Sequence, residues 1–307
     1  MPSTNNKVAR VLTSAPPSYA VIDLGTNSCR LLIAKKVDDE LVVIDSFSDS
    51  VSLGEGINKT GEINEKAKKR AISCLTKIKN KITKHNVVEV RAVATEACRR
   101  ASNSDDFLNQ ISKDLNINFE IIDAREEAEL AIHGCKDLYQ SGMNVIFDIG
   151  GGSTQIILVK ENNIIDFISI PYGVLTLTDK IGSYNVDENG FDNQIKYISS
   201  YFTDLAKQTT ENINIIGTSG TITTITSTYL ELPTYDRNVI DGSVVEQEKI
   251  MKLARKIAQM KIEDRDNIPS INKNYSKLMM SGCIILYAIC DTFKSEHINV
   301  ADRGIRE

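Results

Sequence analysis

Apolar positions along the chain fall into two textures. In the first texture, short apolar runs abut glycine and hydroxyl clusters. Runs 19–22 and 31–33 flank Asp23-Leu24-Gly25-Thr26-Asn27-Ser28, and runs 143–147 and 156–159 flank Asp148-Ile149-Gly150-Gly151-Gly152-Ser153-Thr154. Each predicts strand, tight turn, strand. A polar turn follows each pair (Val37-Asp38-Asp39-Glu40 and Glu161-Asn162-Asn163), and then a third apolar run, 41–44 or 164–170. A repeat of this length implies two related domains, each opening with a three-stranded meander.

The second texture is helical. Ala67, Ala71, Cys74, Leu75, Ile78 and Ile82 recur at helical spacing and predict an amphipathic helix over 64–85. Residues 87–93 and 119–122 predict strands, and 107–115 a helix. A further helix starts at Asp123 and links the two halves. Helices are expected over 192–208, 222–230, 247–258 and 277–293, the last apolar on most faces and therefore buried. Residues 213–221 repeat the theme of an apolar strand entering a glycine and hydroxyl loop. The expected division is a tail over 1–18, a first domain over 19–127, a second over 128–299, and a segment, 300–307, returning to the first domain.

Composition narrows the class. A chain of 307 residues suits two domains with a large core. A net charge of −5 gives nucleic acid no attraction to the molecule as a whole, so DNA and RNA are not expected partners. No apolar run approaches bilayer length, and the polar start with Pro16-Pro17 lacks the apolar centre of a secretory signal. No membrane association is expected, and the protein is read as cytoplasmic. The 6 cysteines form no C-x-x-C pair, which argues for reduced thiols and against zinc. No histidine has a partner at ligand spacing.

The chemistry concentrates in the glycine loops. Adjacent glycines let backbone N–H groups converge without a Cβ in the way, and such nests bind phosphate. A plain hairpin turn explains one such loop equally well; the duplication favours two loops gripping one anion across a cleft. Gly217, Ser219, Gly220 and Thr221 form a third candidate, where amides and a helix N-terminus meet phosphate, or where an ordinary strand–helix connection is capped. Arg99 and Arg100 suit either salt bridges or anion contact. Glu126 and Glu127 stand in the first turn of a helix, where the dipole favours acids even without a catalytic role.

Taken together, the segments IDLGTNSCRLLI from Ile22, SLGEGI from Ser52, VATEACRRASN from Val93, REEAELAIHGC from Arg125, FDIGGGST from Phe147, GTSGTI from Gly217 and VADRGIRE from Val300 resemble the exopolyphosphatase/guanosine pentaphosphate phosphohydrolase family in its short two-domain form. The resemblance implies two ribonuclease-H-like α/β domains of the actin, chaperone-ATPase and sugar-kinase superfold, with the active site between them. It implies roles for matching positions. Asp148 handles magnesium and the attacking water, and Asp23 is the corresponding acid of the first loop. Gly150, Gly151, Gly152 and Ser153 cradle phosphate opposite Asn27 and Ser28, and Arg99 meets substrate phosphates. Glu127 or Glu126 is the general base, with Glu127 favoured. Where the family has a glutamate, this chain has Gln155, whose neutral oxygen can still contact a metal or accept a hydrogen bond.

The implied activity is Mg²⁺-dependent hydrolysis of the terminal phosphoanhydride of polyphosphate, with a monovalent cation such as K⁺ as a further candidate. Guanosine pentaphosphate is the alternative substrate, and a homodimer is plausible for the family. A weakly active polyphosphate or alarmone sensor is favoured by Gln155, and a phosphotransferase of the same superfold by the paired loops alone. Lys35, Lys36, Arg91, Lys252 and Arg255 are candidates for a track along a polyphosphate chain, or else ordinary solvated charges.

Overall fold

The structure, a computed structural model, describes residues 16–38, 40–209 and 212–307. Most of the expected tail lies outside the described residues, and Ser18 already opens the first strand. The first sheet is built from β1 (Ser18–Leu24), β2 (Ser28–Val37), β3 (Glu40–Ser50), β4 (Val87–Ala94) and β5 (Phe119–Ile121), in the order β3-β2-β1-β4-β5. The second contains β6 (Met143–Ile149), β7 (Thr154–Lys160), β8 (Asn163–Ile170), β9 (Asn214–Thr218), β10 (Val244–Glu246) and β11 (His297–Ala301), in the order β10-β11-β9-β6-β7-β8. Each meander is antiparallel, and each first strand then pairs in parallel with the strand after the meander: β1 with β4, β6 with β9. The duplicated progression 3-2-1-4 is the ribonuclease-H-like topology, and two such units make the two-domain superfold expected above.

Helix Glu65–Lys84 closes the first core. Asn64 caps it by accepting from the Ala67 N–H, and its buried residues are the six apolar positions read from the sequence. They pack with Ile22, Leu24, Leu31 and Ile33 of the sheet. Each such fully buried aliphatic side chain contributes roughly 1.5–3 kcal/mol, so a charge at Ile78, which is fully buried, would open this interface. The second core is larger. Helix Lys273–Thr292 runs through it, and thirteen of its residues are buried, as its all-round apolar pattern requires. Helix Ala124–Gly134 covers the other face of the second sheet through Ala128 and Ile132, against Ile146, Ile157 and Ile216.

Several expectations change. The helix read over 192–208 is two, Glu188–Ser199 and Thr203–Ala206. The break lets Tyr201 stack edge-on with Tyr172 and Tyr197. Helix Val174–Ile181 was not predicted at all. The segment over 300–307 does not cross to the first sheet: Val300 and Ala301 belong to β11, in parallel register with Gly217 and Thr218 of the second sheet. The tail beyond them instead lines the space between the domains.

Candidate active site

The two loops are the same turn made twice. Gly25 N–H donates to Ser28 O at 2.9 Å, and Gly150 N–H donates to Ser153 O at 2.9 Å. Asp23 and Asp148 each stand one residue from the end of their strands, β1 and β6, so each acid sits beside its turn. The carbonyls are turned away from the cleft and tied down. Gly150 O and Gly151 O accept from Val174 N–H and Leu175 N–H at 2.9 Å each. Gly152 O accepts from the Thr176 hydroxyl at 2.9 Å. In the first loop, Thr26 O accepts from Gly54 N–H at 2.9 Å, and Asn27 O from Val51 and Ser52 N–H. With these carbonyls tied down, amides of both turns other than those of Gly25 and Gly150 are left to the cleft.

Close approach explains the glycines. A Cβ on Gly151 would sit 2.7 Å from Asn27 N, and one on Gly152 would sit 2.5 Å from the Thr26 hydroxyl. The loops therefore touch, and Gly25, Asn27, Ser28, Gly150, Gly151, Gly152 and Ser153 line one cleft.

The third loop contributes in part. Ser219 and Gly220 line the cleft. Ser219 adopts φ 99°, a strained conformation for a side-chain-bearing residue, and its buried hydroxyl has no partner. Gly217 and Thr221, expected beside them, lie elsewhere. Gly217 is covered by the Phe147 ring, and the Thr221 hydroxyl bonds the Tyr275 hydroxyl at 2.9 Å. Gly217 is still inside the strand, and Thr221 already faces inward on the helix.

Of the paired glutamates, one faces the cleft. Asp123 caps the linking helix through Arg125 and Glu126 N–H, which fixes the direction of the first turn. Glu127 then points inward and Glu126 outward to Arg91, at 2.7 Å. Glu126 is therefore not a cleft residue. Arg99 is also placed differently from the expectation. Its guanidinium donates to Glu127 at 2.8 Å, to Ile122 O at 2.8 Å and twice to Glu96. All of its nitrogens are engaged, so it orients Glu127 and does not itself line the cleft.

Burial dominates the electrostatics. It pushes the Glu127 carboxyl up to about 7 against the opposing pull of Arg99, with Asp148 and Asp23 adding to the rise. Burial also raises Asp148 to about 6 and raises Asp23. The Arg30 charge opposes both rises.

Arg30 was not anticipated. It is the cross-strand neighbour of Asp23 in β2, a relation visible only once the hairpin register is known. Gln155 holds the matching place opposite Asp148 in β7. Arg306, from the end of the chain, also lines the cleft; burial first, then the neighbouring Arg30 charge, lower its affinity for a proton. Arg306 pairs with Glu307 at 3.7 Å, and the two guanidiniums on one cleft suit an anionic ligand. The main chain behind Arg306 is anchored by Arg303, which binds Asp241 and, at 2.5 Å, Asp137.

The donor set also suits a hard cation. Asp23 is a buried acid, Asp148 a partly buried one, and Gln155 Oε1 is a buried acceptor with no partner. Among the described residues no cluster of three or more His, Cys, Asp or Glu could hold a metal by itself. Mg²⁺ binds through one or two carboxylates and takes the rest of its shell from water and phosphate, so Asp23 and Asp148 are residues that could hold it. The candidate basic tracks lie elsewhere: Arg91 pairs with Glu120 and Glu126, Lys252 with Glu248, and Arg255 with Asp192. Among the described residues, all six cysteines are free and buried, and no helix is long and apolar enough to cross a membrane.

Two like α/β domains closing amide-rich turns and acids on one cleft define a phosphate-handling protein of the ribonuclease-H-like superfold. The chain belongs to the Ppx/GppA phosphatase family, whose family model matches residues 32–307. It is 27% identical over 299 residues to a putative exopolyphosphatase of Haemophilus influenzae, covering 94% of this chain and 88% of that protein. It is 30% identical to a bifunctional 3-dehydroquinate synthase/phosphatase of Fusobacterium nucleatum (92% of this chain, 44% of that one). A guanosine-5'-triphosphate,3'-diphosphate pyrophosphatase of Aliivibrio fischeri is 25% identical (96% and 59%). The chain thus spans about half the length of these last two relatives. The fold superposes on an exopolyphosphatase from Cytophaga hutchinsonii with TM-score 0.87 at 25% identity, covering 94% of this chain and 95% of that one. For an Aquifex aeolicus Ppx/GppA family member the TM-score is 0.78 at 27% identity, with 95% of each chain covered.

Proposed function

We propose that this phosphatase is an exopolyphosphatase, removing orthophosphate from the end of inorganic polyphosphate. The observation that carries the reading is Glu127: a cleft carboxylate with a side chain only 15% exposed, oriented by Arg99, and raised to about 7. A base with that affinity exchanges its proton near neutral pH, where general-base catalysis is most effective. Amides of the paired turns, with Arg30 and Arg306, hold the terminal phosphate and neutralise its oxygens. Glu127 takes a proton from water aligned with the departing chain. Asp148 and Asp23 would hold Mg²⁺, with Gln155 Oε1 beside them; when bound, that ion supplies charge neutralisation at the bridging phosphates. The remaining step belongs to Arg99, which keeps Glu127 aimed at the water.

A groove continuous with the cleft favours a polyanion as the leaving group. Ser46, Ser48 and Ser50 of β3 line it together with Arg237 and Arg306. Tyr235 in the same groove, 44% exposed, favours guanosine pentaphosphate as the second reading, since its ring could stack on a base. Side-by-side kinetics on tripolyphosphate, long polyphosphate and guanosine pentaphosphate with Mg²⁺ test the proposal. A preference for polyphosphate supports it. Turnover of the nucleotide alone selects the second reading, and binding of polyphosphate without phosphate release selects the sensor.

A further inference from the structure

Where the cleft opens into the groove, the lining includes a phenol that the proposed chemistry does not use. Tyr275 lines both spaces, together with Arg30, Ser219 and Gly220. A helix cap puts it there. The Asn272 side chain accepts the Asn274 N–H, and its carbonyl accepts the N–H groups of Tyr275 and Ser276, so helix Lys273–Thr292 starts with Tyr275 in its first turn. The end of the ring lies over the third glycine loop: a Cβ on Gly220 would stand 3.6 Å from the phenol oxygen. Thr221, the next residue, meets that oxygen with its own hydroxyl at 2.9 Å. Gly282, on the same helix as Tyr275, makes the room, since a Cβ there would come within 2.7 Å of the Thr221 hydroxyl.

This pair of hydroxyls has a preferred direction. A phenol and an alcohol carry one O–H each, and the bond between them uses one. Among the described residues neither hydroxyl makes a second hydrogen bond. Thr221 is fully buried, whereas Tyr275 reaches the cleft. The order that uses both protons therefore runs from Thr221 to Tyr275 to a ligand, and each bond of such a chain strengthens the next. Burial pushes the phenol up to about 12, so it stays protonated, and a donor, at neutral pH. The Ser219 hydroxyl at the same junction is buried and lacks a partner.

We propose that Tyr275 is a specificity-determining residue that donates its O–H to the second phosphate of the substrate, the one that departs. The placement rests on the reading that the paired turns hold the terminal phosphate; the next phosphate then lies at the mouth shared by cleft and groove. The bond selects a phosphoanhydride over a lone phosphate, because orthophosphate seated between the turns does not reach the phenol. No proton is transferred. The O–H offsets charge on the departing phosphate as that charge develops.

The test is titration calorimetry on the full chain with Mg²⁺, using orthophosphate and imidodiphosphate, whose P–N–P link resists hydrolysis. Tyr275→Phe binds imidodiphosphate roughly tenfold more weakly than wild type and orthophosphate equally well. Its kcat/KM for tripolyphosphate falls by a similar factor. Phenylalanine leaves the Thr221 hydroxyl buried and alone, so the double variant Thr221→Val, Tyr275→Phe is measured beside it and shows the same selective loss. Equal imidodiphosphate affinity in wild type and Tyr275→Phe, or an equal loss for both anions, overturns the proposal. Binding is read without turnover. A wild type that binds both anions and releases no phosphate refutes the activity and leaves this assignment standing; one that binds neither refutes both.

Discussion

The two anion turns share a shape and differ in what stands beside them. Opposite Asp23 is Arg30; opposite Asp148 is Gln155. The carbonyls of the first turn are held by the Val51–Gly54 backbone, and those of the second by a helix N-terminus. Duplication supplies the frame, a strand ending near an acid and a turn closed by a glycine N–H. The cross-strand partner then decides the chemistry. The Arg30 charge in the cleft favours an anion on the first side and offsets the rise of both carboxyls. A neutral amide leaves Asp148 as the only acid of its hairpin end, with an unpartnered oxygen nearby for a cation or its water. On the proposed reading, one half of the cleft serves the anion and the other the cation.

The largest expected effect is on neither turn but on Glu127, the proposed base. Glu127→Gln lowers phosphate release by at least roughly a hundredfold, while Glu126→Gln, paired with Arg91 outside the cleft, changes it by less than about twofold; steady-state rates check both. The same substitution stabilises the fold at alkaline pH. A carboxyl raised from 4.5 to about 7 in the folded state resists ionisation, so its penalty is absent at low pH and grows as pH rises through that window. Glu127→Gln therefore melts higher than wild type at pH 8, by on the order of 2–3 kcal/mol of stability, and the gap closes at pH 4.

Making the turns alike is the next largest perturbation. Arg30→Gln copies the partner of the second turn into the first. Phosphate binding, measured by titration calorimetry, weakens by roughly tenfold or more, and the Asp148 carboxyl rises further above its value of about 6 because the Arg30 charge no longer opposes burial. The converse change, Gln155→Glu, adds an acid to the cation side. It is expected to tighten Mn²⁺ binding, read by electron paramagnetic resonance, by roughly a few-fold to tenfold. Equal phosphate affinities in wild type and Arg30→Gln would erase the distinction between the two sides.

Much of this frame is legible in the sequence because it is local. Short apolar runs broken by glycine mark both meanders, and the helical spacing of Ala67 to Ile82 marks the helix that covers the first sheet. Asp23, Asp148, Glu127 and the glycines follow from the same patterns and the family resemblance. What was not legible depends on partners distant in the chain. Arg30 needs the hairpin register, and Arg306 needs the path of the C-terminal segment. Helix Val174–Ile181 is only 8 residues long and is fixed by contacts to Gly150 and Gly151 rather than by its own period. For Arg99 the residues allowed a salt bridge or an anion contact and the resemblance implied the second; the fold decides for the first, because its three acceptors, Glu96, Ile122 O and Glu127, converge only there.

The measurement closest to the centre of this account is the pH dependence of phosphate release from tripolyphosphate by wild type and Glu127→Gln at saturating Mg²⁺. The account predicts a wild-type rate that climbs through an apparent pKa near 7 and levels above it, and a variant that is at least roughly a hundredfold slower throughout. A variant within a few-fold of wild type, with the same climb, would contradict it.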